Sequence, residues 1–185
     1  MDPDPAVIGR SALVGLATGS RSFSALAAQV ASTAPLSVRQ PEVTLAKPWV
    51  KGLVALAAAG ELVGDKLPSV PSRLTPYVLA PRLLLAAATT VLLLRAQDEE
   101  ARARREPAAR EQGPAEASLA PERPAVAVPG VAVLAVPVAV VGSLAAAAWG
   151  VAWRRRAAQA FGTDWPGAVL EDLVTVALAL VATRR

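Results

Sequence analysis

PAVAVPGVAVLAVPVAVVGSLAAAAWGVAW, Pro124 to Trp153, is thirty residues without a charged side chain. A helix rises about 1.5 Å per residue and the hydrocarbon core of a bilayer is about 30 Å thick, so some 20 apolar residues suffice to cross it. This run exceeds that length. Trp149 and Trp153 near its end, with Arg154, Arg155 and Arg156 beyond, are the residue types that mark a membrane–water boundary. The run is read as a transmembrane helix, kinked at Pro137. It sets the fold class as an all-α, polytopic helical membrane bundle.

Four further apolar segments extend this reading. After the arginines, Trp165 to Thr183 returns across the membrane, entering on Thr163 or Asp164 as a cap with Pro166 in the first turn. Leu74 to Leu94 is apolar but carries Pro76, Pro81 and Arg82, so it is either one kinked span or a short helix behind a broken entry. Pro48 to Leu67 and Pro5 to Val30 are each long enough to cross if helical. About five transmembrane helices are therefore expected, in one membrane domain with helices at 1–94 and 124–185.

Between them lies Arg95 to Arg123. Thirteen of these 29 residues are charged, six Arg against seven acidic, which describes a solvated, flexible linker whose first part extends the third helix as far as Pro107. With the linker cytoplasmic, eleven Lys or Arg fall on that side (Arg39, Lys47, Lys51, the linker's six, Arg184 and Arg185) against six on the other. Positive residues favour the cytoplasmic side, and a multi-pass protein of a bacterial inner membrane is the expected location. The opening MDPDPAVIGR is acidic where a secretory signal is basic, so a cleaved leader is not expected.

Composition supports the class. Over 185 residues, 54% are hydrophobic and only 4% aromatic, with a mean hydropathy of +0.41. The apolar content is largely small and aliphatic, which suits closely packed helices. The chain has no Cys and no His, which excludes disulfides, thiolate chemistry, haem ligation by imidazole and the usual zinc sites, and leaves only an oxygen-ligand metal site open. No cofactor is expected. The formal charge of +4 sits beside apolar runs with no aromatic interleaving, so the basic residues point to a lipid bilayer and not to nucleic acid.

Charges inside the apolar segments are the functional signal. Measured from Trp165, Glu171 and Asp172 lie about 9 to 11 Å inward; measured from Trp49, Glu61 and Asp65 lie about 18 and 24 Å in; Arg82 is about 9 Å past Pro76. A charge near the bilayer centre costs roughly 2.5–3.5 kcal/mol on insertion scales, so such a group needs partners or water. Lys66, Arg73 and Arg154 to Arg156 are read as helix-end cations that reach the interface. Arg21, Glu61, Asp65, Arg82, Glu171 and Asp172 are read as a buried cluster able to bind a small ion or an anionic substrate.

Two backbone features accompany it. Gly60, Gly64, Pro68, Pro71, Pro76 and Pro81 punctuate one stretch every three to five residues, predicting a broken or Pro-rich second connection, either a re-entrant site of the kind transporters build or an exposed loop. Gly15 and Gly19 have the spacing that allows close helix contact. GSLAAAAWGVAWRRRAAQ also echoes LATGSRSFSALAAQ loosely, a hint of a weak internal repeat.

Gly15, Gly19, Arg21 and Phe23, then Glu61, Asp65 and Pro68, then Pro81, and finally Glu171 follow one pattern. It resembles a domain-of-unknown-function family of small bacterial integral-membrane proteins (the 4126 type), over most of the chain outside the linker. The linker and the triple arginine depart from it. The resemblance implies a multi-span helical fold and brings no activity or ligand with it. No Ser–His pair, His metal site or phosphate loop is present, so an intramembrane enzyme is the third reading, open only to a paired-carboxylate mechanism. The functional expectation is a small permease-like or transport-associated protein; a structural or assembly protein without transport is the alternative.

Overall fold

The computed structural model describes residues 5–33, 40–64, 74–111, 128–163 and 165–184. Among them the chain forms seven helices and no strand: α1 (Pro5–Ser20), α2 (Ser24–Ser32), α3 (Glu42–Leu45), α4 (Pro48–Gly64), α5 (Pro76–Glu111), α6 (Val128–Phe161) and α7 (Trp165–Thr183). Pro48 and Pro76 each open their helix, where a missing N–H costs nothing because the first turn has no intrahelical acceptor. α6 ends at Gly162, whose φ of 67° stops the helix in the left-handed region. The Trp165 N–H then donates to Thr163 Oγ1 at 3.4 Å as α7 begins.

Three helices, α5, α6 and α7, are long and apolar enough to cross a membrane. The distribution of side-chain size agrees with that setting. Leu56, Val63, Leu84, Val133, Val141, Leu173 and Leu180 face outward, while Ala17, Ala86, Ala135, Ala139, Ala147 and Ala182 form the interior. Large apolar groups outside and small ones inside suit a bundle whose solvent is lipid, because helix association there depends on close packing.

The first segment expected to cross differs from its sequence reading. Pro5 to Val30 is not one helix: it is interrupted at Arg21, Ser22 and Phe23, leaving α1 with 16 residues and α2 with nine. Of Pro48 to Leu67, the described part is helical throughout as α4, which has 17 residues and no buried one. Most of the second connection, including Asp65, Lys66, Pro68, Pro71 and Arg73, lies outside the described residues, so the break that the structure describes is in the first segment. α5 passes through Pro81 and continues to Glu111, beyond the expected stop at Pro107. The third apolar segment and the first part of the charged linker are therefore one helix.

A close backbone contact joins α1 to α6. A Cβ on Gly15 would lie 2.1 Å from the Ala139 carbonyl oxygen, and one on Gly19 would lie 2.2 Å from that of Ser143. Gly142 reciprocates, with the Gly15 Cα 3.5 Å from its own Cβ position. As α1 advances from Gly15 to Gly19, its neighbour on α6 advances from Ala139 to Ser143, so the two helices run parallel. α7 returns antiparallel to α6 through the short turn at Gly162.

Gly15→Val should therefore destabilise the bundle by about 3 kcal/mol or more, above ordinary overpacking, because the obstacle is backbone and cannot change rotamer. Thermal unfolding in detergent checks this. Gly9→Val is the control, since a Cβ at Gly9 meets nothing within 4 Å.

Candidate functional site

A helix break frees backbone groups. The last carbonyls of α1 and the first N–H groups of α2 lose their intrahelical partners, and in an apolar interior each such group needs another. Around Arg21–Phe23 those partners are charged side chains from other helices.

Glu61, near the end of α4, serves the start of α2. Its Oε1 accepts the Ser22 N–H at 2.7 Å and its Oε2 accepts the Phe23 N–H at 3.0 Å. Arg82, in the second turn of α5, serves the end of α1: Nη1 donates to the carbonyls of Gly19 at 3.0 Å and Ser20 at 3.2 Å. The two caps are paired with each other, Arg82 Nη2 donating to Glu61 Oε1 at 3.2 Å. Both charges complement the local helix dipole, the carboxylate at an N-terminus and the guanidinium at a C-terminus.

At the break itself, Arg21 is fully buried. Its Nε donates to Asp172 Oδ1 on α7 at 2.8 Å, and its Nη2 donates to the same oxygen. One residue earlier, Glu171 is also buried, and its Oε2 accepts from Arg154 Nε on α6 at 3.1 Å. Among the described residues Arg21, Arg82 and Arg154 thus pair with Asp172, Glu61 and Glu171, drawing on the α1–α2 break and on α4, α5, α6 and α7. Arg82, Asp172 and Arg154 lie six, seven and seven residues from the nearest described helix end, or about 9 to 11 Å by helical rise.

α4 also holds the other end of α2. Lys51 Nζ donates to the carbonyls of Thr33 at 2.9 Å and Ala31 at 3.3 Å. Glu61 and Lys51 are ten residues apart, about 15 Å along the helix, which matches the length of the nine-residue α2. α4 therefore runs antiparallel to α2 and clamps it at both termini, anion to the N-terminus and cation to the C-terminus.

Of the six residues singled out from sequence, the structure brings five together: Arg21, Glu61, Arg82, Glu171 and Asp172. The sixth, Asp65, lies outside the described residues. Arg154 was read as a helix-end cation and is a member of the cluster instead, because α6 does not stop at Trp153 but runs on to Phe161. The absence of Gly or Pro between Trp153 and Gly162 was the available signal. Among the described residues no group of three or more carboxylates is arranged to hold a metal ion. Searches for kin returned no matching family model, curated protein or solved structure.

Breaking one pair from one side should cost more than removing it whole. Asp172→Ala leaves the Arg21 guanidinium buried without this carboxylate and should lose about 3–5 kcal/mol, whereas Arg21→Met with Asp172→Leu should recover most of that loss. Chemical denaturation of the two variants in mixed micelles reads the difference directly.

Proposed function

We propose that this is a small multi-pass protein of a bacterial inner membrane, permease-like or transport-associated, in which the cluster at the α1–α2 break moves a proton through its carboxylates while the arginines balance their charge. The observation that carries this reading is the interrupted helix held by three ion pairs about 10 Å below the helix ends. Charged groups at membrane depth are expensive and belong to pathways more often than to scaffolds. A discontinuous helix with ionisable groups at its freed termini is the arrangement with which many transporters build a site. The arginines could equally engage a small anionic substrate.

On this reading the chain has five membrane-embedded segments. α1 with α2, and α4, join the three long helices; Leu53, Leu56 and Val63 give α4 an exposed apolar flank suited to lipid. The pattern running from Gly15 to Glu171 supports placing the chain with the domain-of-unknown-function family it resembles.

A structural role is the second reading, favoured by one specific observation: α4 clamps both ends of α2 through Glu61 and Lys51, as a pure scaffold would. Purified protein in liposomes separates the two. Wild type should carry protons down an imposed pH gradient, read with an entrapped pH dye. Glu171→Gln, which is paired to Arg154 and leaves the Glu61 and Arg82 caps in place, should cut the rate at least about tenfold, the scale of a single acid–base group, with its melting temperature held within a few degrees. Wild-type vesicles no leakier than protein-free ones would remove the transport reading and leave the scaffold.

A further inference from the structure

α1 and α2 are consecutive, but α2 does not carry on in the direction of α1. Arg82 of α5 holds the Gly19 carbonyl at the end of α1, and Asp172 of α7 holds Arg21 just beyond it. From these two points α5 and α7 run back along α1, because Val14 and Ala17 share one apolar core with Leu93, Ala179 and Ala182. Ala25 belongs to the same core and Ala28 packs against it. α2 therefore turns back beside α1, and the two form a hairpin with Arg21–Phe23 at its tip. The chain beyond α2 agrees: the Gln40 carbonyl accepts from Arg95 Nη1 at 3.4 Å, and Arg95 is about 20 Å along α5 from Arg82.

Exposed aromatic residues place this hairpin in the bilayer. Tyr77, Trp149 and Trp165 all face outward; counted from Arg82, Ser143 and Asp172, they lie about 8, 9 and 11 Å beyond the tip. Trp49, also exposed, lies about 18 Å from Glu61 in the opposite direction, near the level of Arg95. Aromatic residues gather at both membrane–water boundaries. The two levels are about 26 to 31 Å apart, which is the thickness of the hydrocarbon core. Four helices thus agree on one slab, and in it the tip is about half as far from one face as from the other.

We infer that α1 and α2 are a re-entrant hairpin, which enters from the face where α7 ends and turns at Arg21–Phe23 without reaching the opposite face. Irregular backbone at that depth is tolerated because the turn is buried in protein. The start of α1 and the end of α7 then lie on one side, with Arg10, Lys47, Lys51 and Arg95, against Arg154 to Arg156 on the other. Positive residues mark the first side as cytoplasmic, so the charged cluster stands near the outer face. The hairpin rests on the packing and the aromatic levels; exchange of the cluster's proton with the outer face rests on the transport reading above.

The chain has no cysteine of its own, so single thiols in the full-length protein report sides. A membrane-impermeant maleimide should label Ala6→Cys and Arg102→Cys in inverted vesicles only, and Phe161→Cys in right-side-out vesicles only; all three positions are exposed. If α1 and α2 together made a crossing, Ala6→Cys would label with Phe161→Cys, and that pattern overturns the hairpin. In a second arm, Ser22→Cys reports the tip; the backbone N–H of Ser22 is what meets Glu61. A small charged methanethiosulfonate should modify it at least tenfold faster from the Phe161 side. Equal rates, faster reaction from the Ala6 side, or none from either overturns exchange with the outer face. Labelling as expected while wild-type liposomes carry no protons upholds the hairpin and removes the transport reading.

Discussion

Backbone hydrogen bonding in an apolar medium is the constraint from which the rest of this structure follows. Lipid offers neither donor nor acceptor, so a helix can stop at membrane depth only if something replaces the bonds it gives up. Here the replacements are ionic. Arg82 takes the last carbonyls of α1 and Glu61 the first N–H groups of α2. Each is a charge that would be costly alone, but the cap turns part of that cost into charge-assisted hydrogen bonds, and their mutual pairing removes the net charge. The break and the cluster are therefore one feature: without the charges the helix could not stop at Ser20, and without the open backbone two of the charges would lose most of their partners.

Small residues make this arrangement possible. α1 approaches α6 so closely at Gly15 and Gly19 that a methyl group would strike backbone. That approach brings the start of the break into the bundle, where side chains from α4, α5 and α7 reach it. The apolar stripe of Ala supplies contact without bulk, and the large residues are left for the lipid-facing side.

Membrane character was legible from Pro124 to Trp153 alone, and the distance of Glu171, Asp172 and Arg82 from their helix starts followed from counting residues against helical rise. The break expected within residues 60–81 falls mostly on residues outside those described, with α4 described to Gly64 and α5 from Pro76; the break in the first segment was not expected. The break described here is instead written in Gly19-Ser20-Arg21-Ser22, small and polar residues whose side chains compete with helical backbone bonds. It was read as a packing motif because Gly-x-x-x-Gly does pack, and the same glycine serves both purposes. Arg154 was missed for a related reason: three consecutive arginines look like the end of a span, whereas the helix continues and only the first of them turns inward to Glu171. Partner identity is a property of three-dimensional register, which residue spacing within one helix does not contain.

The pairing of Arg21 with Asp172 joins residues 151 positions apart. At roughly 5–20 residues per second of synthesis, about eight to thirty seconds separate the emergence of the arginine from that of its carboxylate. During that interval α1, α2, α4 and α5 already have Glu61 and Arg82 with which to close the broken backbone, but the Asp172 carboxylate that Arg21 pairs with is not yet made. Arg21 therefore gains this partner only with α7, the last of the described helices to be synthesised.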